Sequence, residues 1–353
     1  MKKHPTALWA LLLGAWAVYL LLCPADAGAA VADGLTLCAR SVLPALFPFF
    51  VCVELMSRMG VTARISARLG TPLARLLHTS YAGAGVWAAG IVGGYPAGAQ
   101  CAAALCRTRQ LSASEAEHLC GFCNNAGPAF ILSMAGAQLF DHPSAGFALW
   151  GGHIAASLLT GVLLRPRQPC PVMPPSRQTS SARPALSAAF TQSVKTAGAV
   201  LLQVCMFVVT FSVLTAMLSD LLPQTTPPAL RAGLTGALEL TNGIRQLQLG
   251  ALSEWATFVL CAFLLGFGGL GVAAQVASIL QEAGLSAHGY LRAKFLHGLL
   301  CAAFSLPAAQ ALHLQGAPAW HRLWPPLALF AVLVTDFLSF RKVMSGNPRA
   351  DGV

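Results

Sequence analysis

The apolar run over residues 81–106 is interrupted at its middle by Gly93-Gly94-Tyr95-Pro96-Ala97-Gly98-Ala99-Gln100. Glycine lacks a Cβ, and proline removes a backbone donor while its ring clashes with the preceding turn. No straight helix passes through such a segment. In lipid, the freed backbone groups are tolerated only where protein or a watery cavity satisfies them. The pattern recurs as Gly268-Gly269-Leu270-Gly271-Val272-Ala273-Ala274-Gln275, inside the apolar run 255–280. Gly93/Gly268, Gly94/Gly269, Ala99/Ala274 and Gln100/Gln275 match at one offset, and Leu111-Ser112-Ala113 is echoed by Leu285-Ser286-Ala287. Glycine and alanine are common in this chain, so the glutamine behind each double glycine is the informative part. Paired interrupted segments in two halves of a chain point to a transporter-like binding site.

The rest of the chain is apolar enough for that reading. It is 56% hydrophobic and 10% charged, with a mean hydropathy of +0.65. This composition belongs to a polytopic membrane protein. The net charge of +10 fits basic loops on one side of a bilayer and needs no nucleic-acid partner.

A basic start at Met1–Pro5 leads into an apolar run over 7–23. Ala25-Asp26-Ala27 resembles a signal-peptidase site, but the run is long for a signal core and reads as an uncleaved anchor over 1–30. A span over 41–56 follows, ending near Glu54. Arg58, Arg64, Arg68 and Arg75 then alternate with apolar residues, as in a helix lying on the membrane surface. Residues 119–140 are broken by Asn124-Asn125-Ala126-Gly127-Pro128, and 145–164 spans again. The proline-, serine- and arginine-rich stretch from Arg165 opens a cytoplasmic linker, taken as 165–192, between a first repeat (41–164) and a second (193–340). The second repeat holds a span over 196–218 and an amphipathic stretch over 229–250 with Glu239-Leu240-Thr241-Asn242-Gly243. The run 255–280, a span over 293–314, a last span over 323–340 and a tail over 341–353 complete the chain.

The expected fold is therefore all-α and polytopic. If both glycine-broken segments are re-entrant hairpins with tips at Gly93, Gly94, Tyr95 and Pro96 and at Gly268 and Gly269, the arginine-rich loops fall on the cytoplasmic side. The two halves then enter the membrane from opposite sides. That inverted repeat predicts the 107–117 and 285–292 loops on opposite faces.

A site in such a fold is polar and mostly uncharged. Gln100 and Gln275 follow the two breaks, and each amide both donates and accepts. Asn124 and Asn125 sit at a third break, and Glu239, Thr241 and Asn242 at a fourth. Polar groups at membrane depth are costly and mark function; the competing role is to cap broken ends or tie helices together. Glu54 and Asp336 lie near span ends, where they reach water, and His153 and His297 read as packing residues. Cys120-Gly121-Phe122-Cys123 has redox spacing without a thioredoxin-like context. No metal-ligand spacing, phosphate loop or Ser-His-Asp order appears, so neither a cofactor nor an enzyme is expected. The expected partners are the lipid bilayer and a small polar solute, and self-association into a homo-oligomer is compatible with the chain.

Gly93-Gly94-Tyr95-Pro96-Ala97-Gly98-Ala99, Asn124-Asn125-Ala126-Gly127-Pro128, Leu238-Glu239-Leu240-Thr241-Asn242-Gly243 and the segment from Gly269 to Ile279 together resemble the bacterial sporulation integral membrane proteins of the YlbJ family. The resemblance covers roughly residues 41–314 in the same motif order; the 61–80 segment departs from it. That family is grouped with membrane proteins carrying the nucleoside recognition, or gate, domain. The resemblance implies a Gram-positive spore former, the plasma membrane (of mother cell or forespore) and a role in building the spore, its cortex in particular. It also implies a fold related to concentrative nucleoside transporters, with two re-entrant hairpins and broken helices, and a nucleoside-like solute. The alternative is a non-transporting scaffold that recruits spore-assembly partners.

Overall fold

The computed structural model describes residues 5–166, 185–250 and 252–316. The expected last span, Asp336, the tail and most of the linker lie outside them. Every regular element among the described residues is helical. In chain order they are α1 (Pro5–Leu22), α2 (Pro24–Leu37), a π-helical turn (Cys38–Val42), α3 (Leu43–Arg58), α4 (Val61–Leu77), α5 (Tyr81–Gly93), α6 (Ala97–Arg107) and α7 (Ala113–Cys123). Then come α8 (Pro128–Phe130), a π-helical segment (Ile131–Leu139), α9 (Pro143–Leu164), α10 (Leu186–Leu221), α11 (Pro228–Leu238) and α12 (Leu240–Leu249). The last three are α13 (Glu254–Phe267), α14 (Gly269–Glu282) and α15 (Tyr290–Ala311).

Four stretches are long and apolar enough to cross a membrane: Pro24–Arg58, Pro143–Leu164, Leu186–Leu221 and Glu254–Glu282. The protein is a multi-pass membrane protein. The span expected over 41–56 begins much earlier, because α2, the π turn and α3 run on from one another. Likewise α10 starts at Leu186, inside the stretch read as linker. At about 1.5 Å per residue its 36 residues cover roughly 54 Å, well beyond a hydrocarbon layer of about 30 Å.

Local chemistry sets the helix ends. The Ser80 hydroxyl accepts from Gly83 N at the start of α5, and Ser112 and Ser253 do the same for α7 and α13. Gly268, at φ 82°, ends α13 in the left-handed region, which glycine enters without a Cβ penalty.

Helix packing departs from the expected repeat in one respect. α5 and α6 fold back on one another, as the Gly94-Tyr95-Pro96 break predicts. The second pair that folds back is α11 and α12, joined at Glu239, and not α13 and α14. A Cβ on Gly243 would overlap the Cα of Gly236, so these two glycines let α11 and α12 touch backbone to backbone. At Gly268 and Gly269 two successive residues take φ 82°, and the chain is redirected rather than reversed. Thus α13 packs on α15, α11, α12 and α9, while α14 packs on α6, α10 and α11. Gly268 and Gly269 are therefore the joint of a broken helix, the counterpart of Asn124–Gly127 between α7 and α8.

The loops fall into two groups. Ser286 N donates to Glu117 Oε1 at 2.7 Å, Ser80 N to Glu115 Oε1 at 2.6 Å, and His78 Nδ1 lies 2.9 Å from Pro166 O. Residues 78–80, 112–117, 166 and 286 therefore share one end of the bundle. At the other end Gln315 N donates to Glu254 Oε2, and Gln248 Nε2 to Gln138 O. This corrects the expectation that the 107–117 and 285–292 loops face opposite sides. Leu111 and Leu285 lie in the same buried cluster.

Two outcomes follow. In a cysteine-free background, Ser112→Cys and Ser286→Cys will react alike with a membrane-impermeant maleimide, and Thr226→Cys will show the opposite accessibility. Separate labelling of the first two would overturn the arrangement. Gly243→Ala will lower the detergent melting temperature by the equivalent of about 1–3 kcal/mol of overpacking. Gly233→Ala, with nothing within 4 Å, will leave it unchanged or raise it by up to about 1 kcal/mol.

Candidate functional site

Four backbone breaks meet at the middle of the bundle. Gly94, at φ 74°, lies so close to Gly127 that a Cβ there would come within 2.9 Å of its backbone. Gly269 packs in the same way against Gly236 O, Leu238 O and Leu240 N. Each folded-back pair therefore seats its tip on the break of the next helix. The halves are joined by Tyr95, whose hydroxyl donates to Leu265 O at 2.8 Å and abuts Gly268.

Between the tips lies a cavity of about 50 Å³. Glu239, Thr241 and Gln275 supply its polar edge, with Tyr95, Gly94 and Gly127 beside them. Its other walls are apolar: Val42, Leu46, Phe49 and Phe50 from the π turn and α3, Phe130 from α8, Val204, Phe207 and Val208 from α10. At roughly 10–15 Å³ per probe sphere, it holds a few waters or one very small molecule.

Glu239 is 5% exposed. Its Oε2 accepts from Asn242 N at 2.7 Å, capping α12, and its Oε1 accepts from Thr241 Oγ1 at 3.0 Å. Asn242 turns away from the cavity, its amide donating to Ser212 Oγ of α10 at 2.9 Å. Gln275 is 4% exposed, and its Oε1 has no hydrogen-bond partner. Gln100 does not meet Gln275. It lines a neighbouring cavity of about 70 Å³ with Glu54, Thr196 and Pro96, and Glu54 is ion-paired to Arg58 at 2.7 Å. The two cavities share Phe50 and Tyr95. Gln100 stands on α6, which folds back from its break, whereas Gln275 stands on α14, beyond a redirected joint. Equal spacing in sequence therefore leads to different places.

Asn124 and Asn125, both fully buried, brace the break rather than line the cavity. Asn124 Nδ2 donates to the Tyr290 hydroxyl at 3.0 Å, and Asn125 Nδ2 to Phe122 O at 3.0 Å. Phe122 O also accepts from Ser157 Oγ, which in turn accepts from Trp87 Nε1. Cys123 O is enclosed by Gly90 and Gly98, where any Cβ would overlap it. These glycines explain how the end of α7 wedges into the α5–α6 pair.

The residue that sequence reading passed over is Lys294, which is fully buried. Its Nζ donates to Asn124 O at 2.9 Å, lies 2.8 Å from His297 Nδ1, and sits 5.4 Å from the Tyr95 ring centroid. A lysine one residue into an expected span was the available signal. His153 and His297 are part of this network rather than plain packing residues. His153 Nε2 accepts from Ala126 N at 3.2 Å, which puts its proton on Nδ1, facing Cys301 Sγ at 3.6 Å. With Cys301 these imidazoles form a compact group able to reach one ion. The donor set does not fit one, because ligation through His153 Nδ1 would turn an Nε2–H against the Ala126 N–H, and the Lys294 ammonium lies alongside.

Replacing Asn124 by Leu and Tyr290 by Phe will each destabilise the protein by about 1 kcal/mol or more. The double variant will cost less than their sum by at least about 0.5 kcal/mol in detergent unfolding. Strict additivity would break the assigned contact.

No family model matches this chain, and no solved structure matches it. The chain is similar to the "Sporulation integral membrane protein YlbJ" of Bacillus subtilis (strain 168), with 29% identity over 325 residues covering 82% of this chain and 78% of that protein. The family resemblance carried by the four motifs thus extends over most of the sequence.

Proposed function

We propose, from this likeness to a sporulation integral membrane protein, that the chain is a permease-like membrane protein of spore formation whose solute binds where the four breaks meet. The observation that carries the reading is the convergence of Glu239, Thr241 and Gln275 on one cavity between two folded-back helix pairs. Unwound backbone beside a midplane cavity is the usual construction of a transporter site. The order of elements supports an inverted repeat with revised boundaries: α5–α6, α7–α8 and α9 in the first half, α11–α12, α13–α14 and α15 in the second. On this reading the α5–α6 pair is re-entrant from the end holding residues 78–80, and the α11–α12 pair from the opposite end. Arg58, Arg75, Arg107, Arg109 and Arg165 stand toward the first end, which supports a cytoplasmic orientation for it. A nucleoside-like solute and a cortex role come from the family resemblance alone.

The size of the cavity favours a closed conformation for this state, since a nucleoside needs several times 50 Å³. The same observation supports the second reading, a scaffold that retains the fold without a working site. The two separate in a spore former carrying the chain as its single copy. A transported solute requires Glu239→Gln and Gln275→Leu to impair sporulation at normal protein abundance and melting temperature, with affinity losses of roughly three- to hundredfold. Asn124→Leu will reduce abundance and sporulation together. Normal sporulation with both cavity variants would favour the scaffold.

A further inference from the structure

We propose that the molecule bound between the tips is an organic amine, its ammonium directed at Glu239 and its apolar body lying among the aromatic walls. The inference rests on the solute-site reading above and narrows it; like that reading it takes the present 50 Å³ cavity as the closed state, which opens to admit the apolar body. Three separate features of the cavity agree.

The first is charge. Glu239 is buried, and neither ion pair among the described residues involves it; those are Glu54–Arg58 and Asp33–Arg245. Its hydrogen bonds, from the Thr241 hydroxyl and from the Thr241 and Asn242 backbone N–H groups, do not use all the lone pairs of its two oxygens. The positive end of the α12 dipole offsets only part of a full negative charge. A buried carboxylate in this setting is completed by a cation or by a proton, and a cationic ligand would supply the former. Lys294 does not fill that role: its ammonium is held by Asn124 O and His297, with the Tyr95 ring beside it.

The second feature is Gln275, a buried amide that lines the same cavity and whose Oε1 has no hydrogen-bond partner. An ammonium carries three donors, enough for the carboxylate and this amide together. An anion would meet two acceptors and be repelled.

The third is the wall. Tyr95, Phe49, Phe50, Phe130 and Phe207 present aromatic surface around a small polar edge. Such a lining suits an apolar body, and ring faces attract cations as well. It offers little to a molecule bearing hydroxyls all round.

The test uses the full-length protein in detergent, with hexylamine, hexanol, hexanoate and uridine as probes and the melting temperature as readout. Hexylamine will stabilise the protein at concentrations where the other three do not. Glu239→Gln keeps the α12 cap and will require about ten- to hundredfold more hexylamine for the same shift. Gln275→Met, which removes a group with no protein partner, will fold normally and require about threefold more or greater. An equal response of wild type and Glu239→Gln would assign the effect to the micelle and overturn the proposal. Stabilisation by uridine but not hexylamine would overturn the amine class and leave the solute site standing. No response to any probe would overturn the amine proposal, with the site itself then judged by sporulation of the Glu239→Gln strain.

Discussion

A peptide group freed inside a bilayer has no water to turn to, and the core of this protein is arranged around that constraint. Each broken helix leaves carbonyls and N–H groups without helical partners, at a cost of several kcal/mol apiece if they stay so. At the α7–α8 break the accounting can be followed group by group. Phe122 O is met by Ser157 and Asn125, Asn124 O by Lys294, and Ala126 N by His153, while two glycines close around Cys123 O. The buried polar side chains of α9 and α15 are there because the α7 backbone needs them. They in turn fix where α5 and α6 sit, and so where Tyr95 meets the other half.

This division of labour separates two kinds of buried polar residue. Asn124, Asn125, His153 and Lys294 turn inward to the protein's own backbone and one another. Glu239 and Gln275 line the cavity, whereas the unpartnered side-chain oxygens of Asn124 and Asn125 belong to the break itself.

Much of this was legible in the sequence. The positions of all four breaks, the all-helical membrane class and the family resemblance follow from glycine, proline and asparagine standing in apolar runs. What the sequence misassigned was how each break acts. The double glycines at 93–94 and 268–269 look alike, yet the first stands in a reversal with Tyr95 and Pro96 and the second forms a two-glycine joint that only redirects the chain. A reversal needs small residues on both arms, as at Gly90/Gly98 and Gly236/Gly243, and that spacing is a better guide than the glycine pair itself. Gln100 and Gln275 were paired on the wrong criterion for the same reason. Lys294 was missed because its partner is a backbone carbonyl 170 residues away, which no local pattern encodes.

The Tyr95 hydroxyl bond has a mechanical corollary. Among the described residues it is the one hydrogen bond from the α5–α6 tip to α13. The break behind it is held by several hydrogen bonds, whereas this latch is a single neutral contact worth about 1 kcal/mol net. Thermal motion breaks such a contact readily, and a water in the cavity can replace it. A widening of the cavity that moved Tyr95 would break this one hydrogen bond and leave the bonds of the braced break intact.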